Sequence, residues 1–161
     1  MILFLKDYLS LKVGKKAAES IIAEAGCPVE VNPMAWYPAE LAHNAFDFYI
    51  YEFGGGEMDE ARKLGQYFFY KYAEAKPWEF FYVKDPVDED FLKRFWYSFY
   101  RGPVEIRRFE GGALMEVHSE DFGMAPTYAL VGWIEAMAEH MGVRLAAVAL
   151  RERLVEFIVS W

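Results

Sequence analysis

Cysteine occurs once in the 161 residues, at Cys27, so no disulfide can form within the chain and a reducing cytoplasm is the expected setting. Asparagine and glutamine are almost missing: Asn32, Asn44 and Gln66 are the whole set. That depletion of labile amides is a thermophile trait. Basic residues are outnumbered, 17 Lys and Arg against 25 Asp and Glu, for a net charge of -8. A phosphate backbone or an anionic bilayer would be repelled overall, which argues against nucleic acid and membrane surfaces as partners. Arg101, Arg107 and Arg108 are either a local basic patch or, the plainer reading, a solvated strand face. No apolar run approaches a membrane span, and the opening Met1–Leu5 is too short for a signal peptide and is followed at once by Lys6 and Asp7. Repeats, low-complexity tracts and linkers are absent. So are a Gly-x-Ser-x-Gly elbow and a phosphate loop, because Gly54-Gly55-Gly56 lacks the following Lys and Ser/Thr.

What is abundant is apolar surface. Hydrophobic residues make up 55% of the chain and aromatics 19%, more than an ordinary core consumes, so some rings are expected to line a pocket or an interface between copies. The length fits one domain, 1–161, with a helical part to about 102 and a sheet part from about 103.

Periodicity divides the chain in the same way. Ala17, Ala18, Ile21, Ile22 and Ala25 mark a helix closed by Gly26, which Gly14 separates from an earlier turn around Phe4 to Leu11. Pro38 opens a second helix with the stripe Leu41, Ala42, Ala45, Phe46 and Tyr49. A third starts near Glu57, Asp59 and Glu60, acids suited to a helix N-terminus, and carries Leu64, Gly65, Phe68, Phe69 and Tyr72 until Pro77. A short fourth runs from Asp88-Glu89-Asp90 to Phe99. The period then becomes two. Val104 to Phe109 and Ala113 to His118 form a hairpin, Pro126 opens a helix closed by Gly142, and Arg144 to Leu150 and Leu154 to Trp161 form a second hairpin. The expected fold is α+β: a helical front half packed on a four-stranded antiparallel sheet of β-β-α-β-β order.

Few residues suggest chemistry. His118 and Glu116 share a strand face near Glu120 and Asp121 and are weak candidates for a metal, the plain alternative being a strand-end histidine among solvated acids. Asp85, Asp88, Glu89 and Asp90 lack calcium-loop spacing and read as helix capping. His43 borders a core stripe, where it either meets a ligand or is half-buried and hydrogen-bonded. His140 sits where a helix C-terminus favours a cation, and Cys27 follows a helix end, where nothing lowers its pKa.

The helix ending in Ala25-Gly26, the pair Tyr37-Pro38, the amphipathic helix after it, Leu64-Gly65 and the β-β-α-β-β end with Gly132 and Gly142 in its helix occur in an order that resembles the heme–nitric oxide/oxygen-binding (H-NOX) domain. They are similar as well to its heme-free relatives, the 4-vinyl reductase-like and Golgi-tethering proteins. The resemblance implies a sensor fold over almost the whole chain. It also calls for an axial histidine on the helix before the hairpin and a Tyr-x-Ser-x-Arg motif after it. Here the first region reads Asp88-Glu89-Asp90-Phe91-Leu92-Lys93-Arg94-Phe95, and the second Val117-His118-Ser119-Glu120-Asp121. With the iron ligand gone and an acid in place of the propionate-binding arginine, no heme is expected.

The resulting expectation is a heme-free small-molecule-binding or sensor-like domain without catalysis. An apolar ligand would lie among His43, Phe46, Phe69, Phe95, Val117 and Trp133. The alternative is an interaction module, a homo-oligomer using its aromatic faces. Lacking an attached output domain, the chain would signal through a separate protein. A reductase-like enzyme would need a cofactor site that the sequence does not display.

Overall fold

Helix ends are set by local chemistry that can be followed residue by residue. The structure, a computed structural model, describes residues 2–32, 35, 37–75, 88–97, 102–118, 123–151 and 154–160. Among these are six helices and four strands: α1 (Ile2–Val13), α2 (Lys15–Glu24), α3 (Ala39–Glu52), α4 (Met58–Ala75), α5 (Glu89–Tyr97), β1 (Val104–Phe109), β2 (Gly112–His118), α6 (Met124–His140), β3 (Arg144–Arg151) and β4 (Leu154–Ser160). Gly26 and Gly142 close α2 and α6 at φ +76° and +69°. At each, the following amide returns to a carbonyl five residues back, Cys27 to Ile22 and Val143 to Ala138, both at 2.9 Å. This double-bonded closure needs a left-handed residue, which glycine supplies without a Cβ penalty. Asp88 caps α5 by accepting the Phe91 N–H at 2.7 Å, as the acidic cluster implied; Asp85 lies outside the described residues.

Several boundaries differ from the sequence reading. The stretch around Phe4 to Leu11 is a full helix of 12 residues rather than a turn, because Leu5, Tyr8 and Leu9 share a buried face. Pro38 is the cap of α3, extended at ψ 134°, not its first helical residue. Met124, not Pro126, opens α6; proline in third place there still falls within the turn whose N–H groups have no helical partner. Leu41 is half-buried, at the margin of the stripe it was assigned to.

Backbone contacts resolve two compact units, Met1–Lys71 with Phe122–Trp133, and Tyr72–Asp121 with Ile134–Trp161. In the first, α1 packs on α2 and α3. Its core holds Leu5, Leu9, Ile21, Ile22, Ile50 and Leu64. The first part of α6 crosses α4 in this unit at two glycines. A β-carbon on Gly65 would overlap the Ala129 carbonyl oxygen and lie 2.6 Å from its carbon; one on Gly132 would overlap the Arg62 carbonyl oxygen and lie 2.7 Å from its carbon. The two backbones therefore touch, and the short Leu64-Gly65 and Gly132 signals have a steric cause.

The second unit contains the sheet, ordered β1-β2-β4-β3 and antiparallel throughout. Alternation puts Ile106, Met115 and Phe157 on one face, where Ile134 and Met137 of α6 and Leu92 of α5 meet them. Trp96 of α5 is buried and its indole N–H donates to the Gly102 carbonyl at 3.3 Å. No helix among the described residues is long and apolar enough to cross a membrane.

Gly65→Ala and Gly132→Ala should each destabilise the chain by roughly 3 kcal/mol, at the upper end of overpacking costs, because backbone rather than a movable side chain blocks the added methyl. Urea unfolding followed by circular dichroism measures this; a loss below about 0.5 kcal/mol in both would refute the contact.

Candidate functional site

The sequence-predicted pocket residues fall in both units. In the first, Phe46 and Phe69 are buried on α3 and α4, and Trp133 is buried on α6. Phe69 meets Trp133 edge-on, ring centroids 6.1 Å apart, and Phe46 meets Phe68 at 5.5 Å. The edge-on geometry of Phe69 and Trp133 stabilises beyond area alone, and the Phe46–Phe68 pair is tilted. His43 is buried on α3, three residues before Phe46 on the same helix. Val117 belongs to the second unit, fully buried on β2 between Val104 and Val155. The side chain of Phe95 lies outside the described residues.

Within the second unit the space under α6 is nearly filled. A cavity of about 10 Å³ remains, lined by Leu92, Met115, Ile134, Met137 and Phe157 among others. That is room for about one water, and its apolar walls offer a water no partners.

Of the weak metal candidates, His118 and Glu116 are among the described residues, and the neighbouring Glu120 and Asp121 lie outside them. Glu116 is buried and its carboxylate is held by Arg107, while His118 ends the strand half-buried. Among the described residues no three His, Cys, Asp or Glu side chains are grouped to hold a metal ion. The Cys27 thiol is buried, donates to the Leu41 carbonyl at 3.0 Å, and is pushed up in pKa by burial, so it rests as a thiol.

Two polar features were missed. The first is a node tying α1, α3 and α4. Tyr8 and Tyr49 donate their hydroxyls to Glu60 at 2.5 and 3.2 Å, and the Lys12 ammonium lies 2.8 Å from the same carboxylate. Sequence reading assigned Glu60 to the helix dipole; its main partners are instead these three groups. Burial alone would raise its pKa, but the bonds from Lys12 and Tyr8 outweigh that and hold it below the ordinary 4.5. Burial, followed by the bonded Glu60 charge, pushes Tyr8 up, and burial with the same charge pushes Tyr49 up. Tyr8 and Tyr49 on the apolar faces of their helices were the available signal, since a buried tyrosine hydroxyl seeks an acceptor.

The second feature is Asp47. Its carboxylate approaches closely because residue 123 is glycine: a β-carbon there would sit 2.8 Å from Oδ2. It accepts the Ala125 N–H at the start of α6, which lowers its pKa, yet burial prevails and pushes it up.

No family model and no curated protein matches the chain. Solved structures do. An Fe(II) unliganded H-NOX protein from K. algicida superposes with a TM-score of 0.73 at 14% identity, over 99% of this chain and 93% of that one. An H-NOX protein from S. oneidensis in the Fe(II)NO state gives 0.72 at 11% identity, over 99% and 96%. A point variant of Tt H-NOX gives 0.65 at 13% identity, over 98% and 90%. At these identities the likeness establishes the fold: the chain is α+β and H-NOX-like.

The node has a pH signature. Glu60, depressed, contributes stability that is present above the ordinary carboxylate pKa and is lost as pH falls through its folded value. Tyr8 and Tyr49, raised, contribute stability that is present below the ordinary tyrosine value of 10.0 and is lost at higher pH. Asp47 works with the opposite sign to Glu60. Melting temperature should therefore fall on both flanks, and Glu60→Gln should flatten the acid flank. An unchanged acid flank in that variant would contradict the assignment.

Proposed function

We propose that this chain is a small-molecule-binding or sensor-like domain on the H-NOX fold that works without heme and without catalysing a reaction. The observation carrying the reading is α5. The H-NOX resemblance calls for an iron-binding histidine on this helix, yet Asp88 to Tyr97 holds neither imidazole nor thiolate. The chain's three histidines stand elsewhere, His43 on α3, His118 at the end of β2 and His140 at the end of α6. The place of the motif tyrosine is taken by Val117, an apolar side chain in the sheet core; Ser119 and Asp121 lie outside the described residues. These residues do not fit a heme.

The ligand that suits the remaining chemistry is small and apolar. Its candidate contacts are the buried rings Phe46, Phe69 and Trp133. The absence of catalysis is supported by the resting Cys27 thiol and by the chemistry of the Glu60 node. That node is spent on hydrogen bonds between helices.

Hemin titration of the purified chain is expected to give only broad, unsaturating absorbance. A sharp one-to-one Soret band would overturn the heme-free reading. Native mass spectrometry and a thermal-shift screen of apolar molecules test ligand binding. A bound ligand at 100 times its Kd should add about 2.7 kcal/mol and perturb Trp133 fluorescence, Trp133→Phe being the control. A chain that carries no molecule and responds to none would remove this reading.

A further inference from the structure

The face of the sheet away from α6 combines apolar residues with charges of both signs. Its middle is apolar. Leu114 of β2 and Ile158 of β4 are cross-strand partners there, and Ala147 of β3 extends the row to the sheet edge. Phe109 of β1 lies opposite Gly112, where a β-carbon would be 2.5 Å from the ring, so the ring covers that glycine. Phe109 is 49% exposed and Ile158 37%, high values for apolar residues in the body of a sheet. One rung along, Glu105, Glu116 and Glu156 stand opposite one another on three successive strands. Like charges so placed repel. Arg107 compensates by binding Glu116 and lying 3.6 Å from Glu105, and Arg151 by lying 2.6 Å from Glu156. With Arg144 opposite Ser160, the face holds three acids and three arginines, in a chain whose net charge is -8.

We propose that this sheet face is the interface of a two-fold dimer of the chain, its axis running along the strands between β2 and β4. Most of the surface of a strongly acidic protein repels a second copy, whereas this charge-balanced face does not. The axis stacks Leu114 on Ile158 of the partner subunit at the centre and, one rung along, Glu116 on Glu156 of the partner subunit, carboxylates that Arg107 and Arg151 of their own chains already neutralise. It also carries β3 over the partner's β1, so that Arg151, still bonded to Glu156, comes within one rung of Glu105 of the partner subunit. Each such contact occurs twice. Aligned sheets pack face to face in this manner. Four strands about 4.8 Å apart and six residues of about 3.4 Å give a flat footprint of roughly 400 Å². This is about half of what a stable interface covers per partner, so the dimer is weak and transient. The inference is independent of whether a ligand binds.

Sedimentation velocity on the full chain from about 5 to 500 µM tests it. A monomer–dimer equilibrium is expected. Ile158→Glu should raise Kd at least tenfold with circular dichroism and melting temperature unchanged. Glu105→Arg and Arg151→Glu should each weaken self-association severalfold, and an equimolar mixture of the two should recover a heterodimer, because the exchanged charges meet across the axis. This swap also stands if Ile158→Glu fails to fold. A monomer at all concentrations, a dimer indifferent to Ile158→Glu, or a mixture that does not recover would each overturn the proposal.

Discussion

At the crossing of α4 and α6 in the first unit, the two backbones come so close that no β-carbon fits at Gly65 or Gly132. Side chains elsewhere along these helices are positioned by that contact. Phe69 lies four residues beyond Gly65 and Trp133 directly follows Gly132, so the close approach brings the two rings edge to edge. A wider crossing would part them and forfeit dispersion contacts that fall off within an ångström. The same helix continues into the second unit, where Ile134 and Met137 line the apolar interior under the sheet. Its start meets Asp47, a carboxylate brought to the N-terminus by a second glycine approach, at Gly123.

Polar chemistry in the first unit is organised by one charge. Taking Glu60 out of water would be unfavourable by itself, and Lys12, Tyr8 and Tyr49 offset that with three contacts from two other helices. The node joins segments that are distant in sequence, Tyr8 to Glu60 across 52 positions. Its geometry suits holding helices in register. A carboxylate so occupied has little basicity left for proton transfer.

The outer sheet face follows a different logic. Its glutamates are adjacent only because register sets Glu105, Glu116 and Glu156 abreast, and arginines from the edge strands answer them. The proposed loss of heme and the proposed pairing of chains rest on different parts of the molecule. The first concerns which side chains α5 and β2 carry; the second concerns a balanced and partly apolar surface. The large aromatic content divides the same way, rings such as Phe46 and Phe69 lying buried and Phe109 covering a sheet glycine.

Element types, their order and the α+β class were legible in the chain because they depend on spacing: period 3.6 in Ala18, Ile21 and Ile22, period 2 in Val155, Phe157 and Val159, and glycine where a helix must close left-handed. Burial of Phe46, Phe69, Val117 and Trp133 followed from the same patterns. The missing iron ligand on α5 is likewise a matter of composition. Only the tertiary structure decided that Glu60 serves two tyrosines and a lysine, that Gly65 and Gly132 mark a backbone contact, and that three glutamates share one rung. Each of these depends on distances between residues far apart in the chain. A one-dimensional pattern reports which face a residue takes, not what stands opposite it.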